Sequence, residues 1–139
     1  MEIKKITHWH EAIDFLEKAR SEKKIKRVTL AENLGVGKSA VTKFFYKEQI
    51  PSLDKLFKYS DAIGVNIYLG NKHLETDSEL IEELKNACKD RYKVSQFAQQ
   101  ININDEQLRA FFNKRYSPNL ELVLTICKGL GLYLKMKKK

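Results

Sequence analysis

With 139 residues, 42% of them hydrophobic, the chain has apolar content for one ordinary domain or two very small ones, and no run approaches the roughly 18 to 20 apolar residues of a membrane helix. The start, MEIKKITHWH, lacks the apolar stretch of a secretory signal, so a soluble, cytoplasmic protein with no membrane partner is expected. The 26 basic and 18 acidic residues leave a net charge of +8, a balance that favours an anionic partner.

Cys88 and Cys127 stand far apart and form no CxxC, which argues against a disulfide scaffold and a zinc site. His8 and His10 flank Trp9 and His73 stands alone, so neither a metal site nor a cofactor is expected. Residues 1–70 and 71–139 each carry 13 basic and 9 acidic side chains. In the second half Lys135, Lys137, Lys138 and Lys139 account for all of the excess, whereas the first half carries it in its body.

In chain order, MEIKKI reads as a candidate strand, and HWHEAIDFLEKARSEKK as a helix with Trp9, Ile13, Leu16 and Ala19 at helical spacing. Thr29, with Glu32 three residues later, has the capping-box pattern and is expected to open a short second helix. Gly35 supplies the left-handed turn that ends it. Gly37 then begins a third helix, whose inward stripe is Val41, Phe44 and Phe45. Pro51-Ser52 starts a fourth, Gly64 closes it, and VNIYLG follows with the alternation of a half-buried strand.

After a connector at residues 70–76, GNKHLET, the same order recurs. Leu80, Ile81, Leu84 and Ala87 repeat at helical spacing, Asn102 stands where Gly35 stood, and Asn104 offers a good N-cap. Leu108, Phe111 and Phe112 form an inward stripe, Pro118-Asn119 starts a helix, Gly131 ends it, and LYLKMK reads as a strand. Shifting the chain by 67 positions aligns residues 30–69 with 97–136 without a gap. The seven identities are Ala31/Ala98, Phe44/Phe111, Phe45/Phe112, Lys47/Lys114, Pro51/Pro118, Leu53/Leu120 and Gly64/Gly131, all at core or turn positions. Two copies of one module are therefore expected, over residues 1–70 and 71–139.

The stretch LAENLGVGKSAVTKFFYKEQIPSLDKLFKYSDAIGVNI resembles the Cro and phage-repressor (xenobiotic-response-element) helix-turn-helix family. Leu34-Gly35-Val36, Ser39, Val41, Pro51-Ser52-Leu53 and Ala62-Ile63-Gly64-Val65 carry the resemblance, which covers nearly all of residues 8–69. It implies a mainly α fold: two tandem lambda-repressor-like helix-turn-helix modules, the second degenerate, each followed by a short β-strand. It also implies that the helix starting at Lys38 is a recognition helix for the major groove. Many members place a glutamate and then a glycine after that helix, where this chain has Phe45 and Lys47.

The residues support the same reading independently. At the start of a groove-facing helix Lys38 suits guanine acceptors, Ser39 is tolerant, and the Thr42 methyl can meet a thymine methyl, with Lys43 beside them. Arg27, Thr29, Tyr46, Lys47 and Gln49 are candidates for phosphate contacts that fix the register. The GVGKS string is not a phosphate-binding loop, because that motif needs a glycine where Glu32 stands and a preceding strand.

The second copy replaces Lys38-Ser39 with Asp105-Glu106. Carboxylates there favour the helix dipole but face phosphate repulsion on a duplex. Gln107, Arg109, Asn113, Lys114 and Arg115 remain as candidate contacts. Two accounts stay open: an intramolecular pseudo-dimer spanning two unequal half-sites, held by the strands near Val65–Leu69 and Leu132–Lys137, or a second copy given over to homodimerisation or a protein partner. The leading expectation is a sequence-specific regulator of double-stranded DNA, of the repressor kind. An antitoxin-like or adaptor protein is the alternative, and no nucleophile-base pair points to an enzyme.

Overall fold

A computed structural model of the chain describes residues 3–139. In chain order the described elements are β1 (Ile3–Ile6), α1 (Trp9–Glu22), α2 (Arg27–Leu34), α3 (Lys38–Phe45), α4 (Leu53–Ile63), β2 (Val65–Leu69) and β3 (Lys72–Leu74), then α5 (Asp77–Lys89), α6 (Val94–Gln100), α7 (Asp105–Phe112), α8 (Leu120–Gly129) and β4 (Leu134–Lys138). The expected strand at MEIKKI is present from Ile3; Met1 and Glu2 lie outside the described residues.

Helix α1 buries Trp9, Ala12, Ile13, Phe15, Leu16 and Ala19, and its start is capped on both sides. His8 Nδ1 accepts from the His10 amide, while Glu11 Oε1 accepts from the Thr7 amide, the Thr7 hydroxyl and the His8 amide, each at 2.8 Å. These bonds, led by the Thr7 hydroxyl, hold the Glu11 carboxyl down to about 2. Helix α2 corrects one expectation. It begins at Arg27 with Lys26 as an N-cap that makes no side-chain bond, so Thr29 lies inside the first turn and caps nothing. Packing decides this start: Leu30 and Ala31 are both buried, and the Arg20 guanidinium donates to the Ile25 carbonyl at 2.6 Å just before it.

The turn residues behave as their types suggest. Gly35 and Asn102 sit at φ 69° and 59°, and Gly64 and Gly131 at φ 87° and 70°. Lys47 and Lys114 also take the left-handed conformation, at φ 59° and 57°, directly after the C-caps of α3 and α7. Ser52 and Asn119 cap α4 and α8, accepting from the Lys55 and Leu122 amides.

All four strands form one antiparallel sheet in the order β1-β4-β2-β3. The pairing of β2 with β4 is the one expected, with Tyr68 opposite Lys135. The connector expected over 70–76 is instead partly strand: Gly70 at φ 60° and Asn71 make a two-residue turn, and β3 returns along β2. Three residues with one apolar member leave too little alternation to be read in advance. Strand β4 starts at Leu134, since Leu132 is still bonded to the Cys127 carbonyl at the end of α8.

A second junction lies at the starts of α4 and α8. The Leu53 amide donates to the Pro118 carbonyl at 2.8 Å and the Leu120 amide to the Pro51 carbonyl at 2.9 Å, around a bridge between Ser52 and Asn119. Each junction contains a pair of residues 67 apart, Tyr68 with Lys135 and Ser52 with Asn119. One contiguous core fills the space between sheet and helices, joining the inward residues Ile6, Ile67, Leu74, Leu134 and Met136 to helices from both halves. The expected 70/71 boundary lies in the turn between β2 and β3.

Candidate nucleic-acid interface

The exposed surface around α3 is built outward from its buried stripe. Val41, Phe44 and Phe45 are buried, and the Phe44 ring stacks on Tyr59 of α4 at 3.8 Å, fixing the helix's rotation. That rotation leaves Lys38, Ser39, Lys43 and Tyr46 exposed and Thr42 half-buried. Together with Glu48 these five side chains line one shallow depression. All four of the expected base-contacting residues, Lys38, Ser39, Thr42 and Lys43, are thus brought onto a single accessible surface.

At the N-terminus of α3 the N-cap is Gly37, which has no side chain to offer. The first amides of the helix are therefore left for an outside acceptor, and the helix dipole favours an anion there. Helix α7 is the opposite. Asn104 Oδ1 accepts from the Glu106 and Gln107 amides at 2.7 and 3.4 Å, and Asp105 and Glu106 fill its first turn.

The expected phosphate contacts divide into two groups. Thr29, Tyr46 and Gln49 are exposed, Tyr46 to 68%. Arg27 is half-buried, 3.3 Å from Glu17 Oε1, with its guanidinium 5.5 Å from the Tyr46 ring and 5.6 Å from the Phe45 ring. Glu17 is held below the usual carboxylate range, first by its hydrogen bond from Arg20 and then by Arg27, so the cluster stays charged. Lys47 reaches back to Asp14 at 2.5 Å. Arg27 and Lys47 therefore brace α3 against α1 and α2, and their charge is partly neutralised in place.

In the second half Gln107, Arg109, Asn113, Lys114 and Arg115 are all exposed. Arg109 is 3.3 Å from Asp105 and Lys114 is 3.2 Å from Glu82, so two of the three cations already have carboxylate partners. Val28 of α2 and Val36 after it are exposed to 46% and 43%. Val36 is part of the family resemblance, whereas Val28 was not singled out by the sequence, because α2 buries only Leu30 and Ala31 and apolar spacing marks inward positions only.

A larger cleft lies elsewhere, lined by α4, β2, β3 and the start of α5. Its lining includes Asp54, Asp61, Glu75 and Asp77 together with Lys58 and Lys139, which lie 3.0 Å from Asp54 and 4.0 Å from Asp61. Burial raises both thiols, Cys127 to about 12, which keeps it protonated and unreactive. Among the described residues no helix is long and apolar enough to cross a membrane.

No curated protein and no solved structure matches the chain. Residues 16–69, from α1 through the end of β2, match the family profile described as helix-turn-helix. The first half is therefore similar, over residues 16–69, to helix-turn-helix domains of the Cro type, and α2 and α3 fall within that span.

Proposed function

We propose that this chain is a sequence-specific transcriptional repressor that reads double-stranded DNA with α3. The observation that carries the reading is the α3 surface itself. Lys38, Ser39, Thr42 and Lys43 stand together behind an uncapped helix start, within the span that matches the helix-turn-helix family. Lys38 or Lys43 would donate to guanine N7 and O6, Thr42 would meet a thymine methyl, and Thr29, Tyr46 and Gln49 would bind flanking phosphates.

In this proposal the second half is a degenerate copy of the first, and the two make an intramolecular pseudo-dimer. Two junctions that each pair residues 67 apart support it, as do the left-handed pairs Gly35/Asn102, Lys47/Lys114 and Gly64/Gly131. The ion pair of Lys47 with Asp14 has its parallel in that of Lys114 with Glu82. The acidic, capped start of α7 makes it the weaker half-site reader, with Gln107, Asn113 and Arg115 as its remaining contacts.

Selection of binding sites from a randomised duplex pool, followed by titration of the triple variant Lys38→Ala, Thr42→Ala and Lys43→Ala, tests the assignment. Loss of binding with an unchanged helical signal is expected; undiminished binding refutes it. The acidity of α7 favours one other reading, a protein partner seated on residues 71–139. A copurifying protein that survives high salt, in a chain with no DNA affinity, would establish that reading instead.

A further inference from the structure

The outer face of the sheet is a second charged surface, and helix-turn-helix chemistry does not use it. Alternation along the strands buries Ile6, Leu134, Met136, Val65, Ile67, Leu69 and Leu74 and turns their neighbours outward. The register then aligns Lys5, Lys135, Tyr68 and His73 in one row across all four strands, with Lys137 and Asn66 opposite each other in the next. Tyr133, exposed to 44%, lies beside the row, and Lys5 Nζ sits 3.4 Å from its ring centroid. The Tyr68 and His73 rings are 5.3 Å apart.

Three features of this face are unfavourable for the fold alone. Lys5 and Lys135 stand directly opposite each other, and like charges in that position repel. Lysine is depleted in strands, and its usual place there is on edges, where it discourages aggregation; β4 is an inner strand flanked by β1 and β2. None of the four described strands contains an acidic residue, and Lys135 and Lys137 have no ion-pair partner among the described residues. Lys5 is offset in part by the Tyr133 ring, but Lys135 and Lys137 break a local rule without such compensation, and an outside partner is the usual reason for that.

We propose that this outer face binds single-stranded DNA, with Lys5, Lys135 and Lys137 on the phosphates and Tyr133 and Tyr68 stacking on bases. Charge complementarity sets an anionic polymer. The interleaved rings set an unpaired one, because a stacking platform needs a base face that a duplex hides. The surface is independent of α3, which packs chiefly on α1 and α2, whereas the helices packed on the sheet are α1, α4 and α5. Only the choice of DNA over RNA rests on the proposed reading of the α3 surface.

The test uses the full chain and three labelled probes: oligo(dT) of ~15 nucleotides, oligo(U) of the same length, and a scrambled duplex, each at ~50 and ~200 mM salt. Native protein is expected to bind oligo(dT). The variant Lys5→Gln, Lys135→Gln and Lys137→Gln should bind it at least about tenfold more weakly at low salt, with a log-log salt slope shallower by about 2, the signature of three lost phosphate contacts. Tyr133→Ala should weaken binding by about fivefold or more with the slope unchanged, which is what loss of a stacked base does. The α3 triple-alanine variant should bind oligo(dT) as native does, even if its duplex binding is gone. A thermal midpoint no lower than native in the glutamine variant keeps the comparison fair.

Failure of the native chain to bind oligo(dT) would overturn the proposal, as would equal loss in the α3 variant. Preference for oligo(U) would reassign the face to RNA, and a larger effect on the duplex than on the single strand would make it a duplex-phosphate surface. Each of these outcomes rejects single-stranded DNA as its ligand.

Discussion

Transplanting the start of α7 onto α3 separates stability from DNA binding in opposite directions. The double variant Lys38→Asp and Ser39→Glu copies Asp105-Glu106 and changes the local charge by three units toward negative. At an uncapped helix start each carboxylate in the first turn is worth about 0.3–1 kcal/mol through the dipole, so folding stability should rise by about 0.6–2 kcal/mol. Gly37 makes no side-chain cap, so the new groups compete with nothing already there. DNA binding should fall, because a lost lysine contact to guanine is worth about 1–3 kcal/mol, or roughly 5- to 150-fold, before phosphate repulsion is added. The salt slope should flatten by about 1. Urea denaturation and fluorescence anisotropy on the selected duplex read the two effects on one sample. A variant that is more stable and binds as tightly as native would refute the assignment of α3. Binding lost in step with stability would show instead that the substitutions act through misfolding.

A cap alone should have a milder version of the same effect. Gly37 has φ −76° and open space where a Cβ would sit, so Gly37→Asn should raise stability by about 0.5 kcal/mol while lowering duplex affinity, as the new side chain takes amides otherwise free for phosphate; chemical denaturation and anisotropy check both. In α8 a Cβ on Gly129 would lie 2.5 Å from Ile101 Cγ2 and 3.0 Å from the Phe97 ring, so Gly129→Ala should cost about 1–2 kcal/mol despite its better helix propensity. The residues 67 before Phe97, Ile101 and Gly129 are Leu30, Leu34 and Ala62, so Phe97→Leu together with Ile101→Leu should relieve Gly129→Ala in a mutant cycle. Glu11 titrates at about 2 in the folded chain against an ordinary 4.5, so its stabilisation is full above pH ~4.5 and is lost as pH falls toward 2. Allowing for solvent screening, Glu11→Ala should cost about 1–2 kcal/mol at pH 7 and little near pH 2, as measured by denaturation at both values.

Apolar spacing made most helices legible, since Trp9, Ile13, Leu16 and Ala19, or Leu108, Phe111 and Phe112, can be buried together in only one conformation. Turn chemistry was legible where a residue type carries it, as at Gly35, Asn102 and Asn104. The start of α2 was not: Thr29 and Glu32 form a sound local capping pattern, but burial of Leu30 and Ala31 outweighs a cap worth about 1 kcal/mol. Strand β3 was hidden because its pairing depends on a turn and a neighbour, not on its own three residues. At the candidate site, the exposed stripe of α3 followed from the buried one. The ion pairs that occupy Arg27 and Lys47 did not, since Glu17 and Asp14 lie a helix away and no local pattern links them. Nor could the row across the sheet be read before the register was known, because it joins residues as distant as Lys5 and Lys135.

The placement of β4 between β1 and β2 governs the order in which the molecule can close. Both neighbours precede β4 in the chain by more than a helical hairpin, and β4 follows every other described element. Until it arrives, β1 has no strand beside it, and β2 is bonded on only the β3 side. Sheet closure is thus the most sequence-distant event in folding and carries the largest loop-closure entropy, as in the pairing of Ile3 with Lys137. A chain cut before Leu134 would leave two unpaired edges over an incomplete core, so loss of a few terminal residues should expose the whole protein to proteolysis.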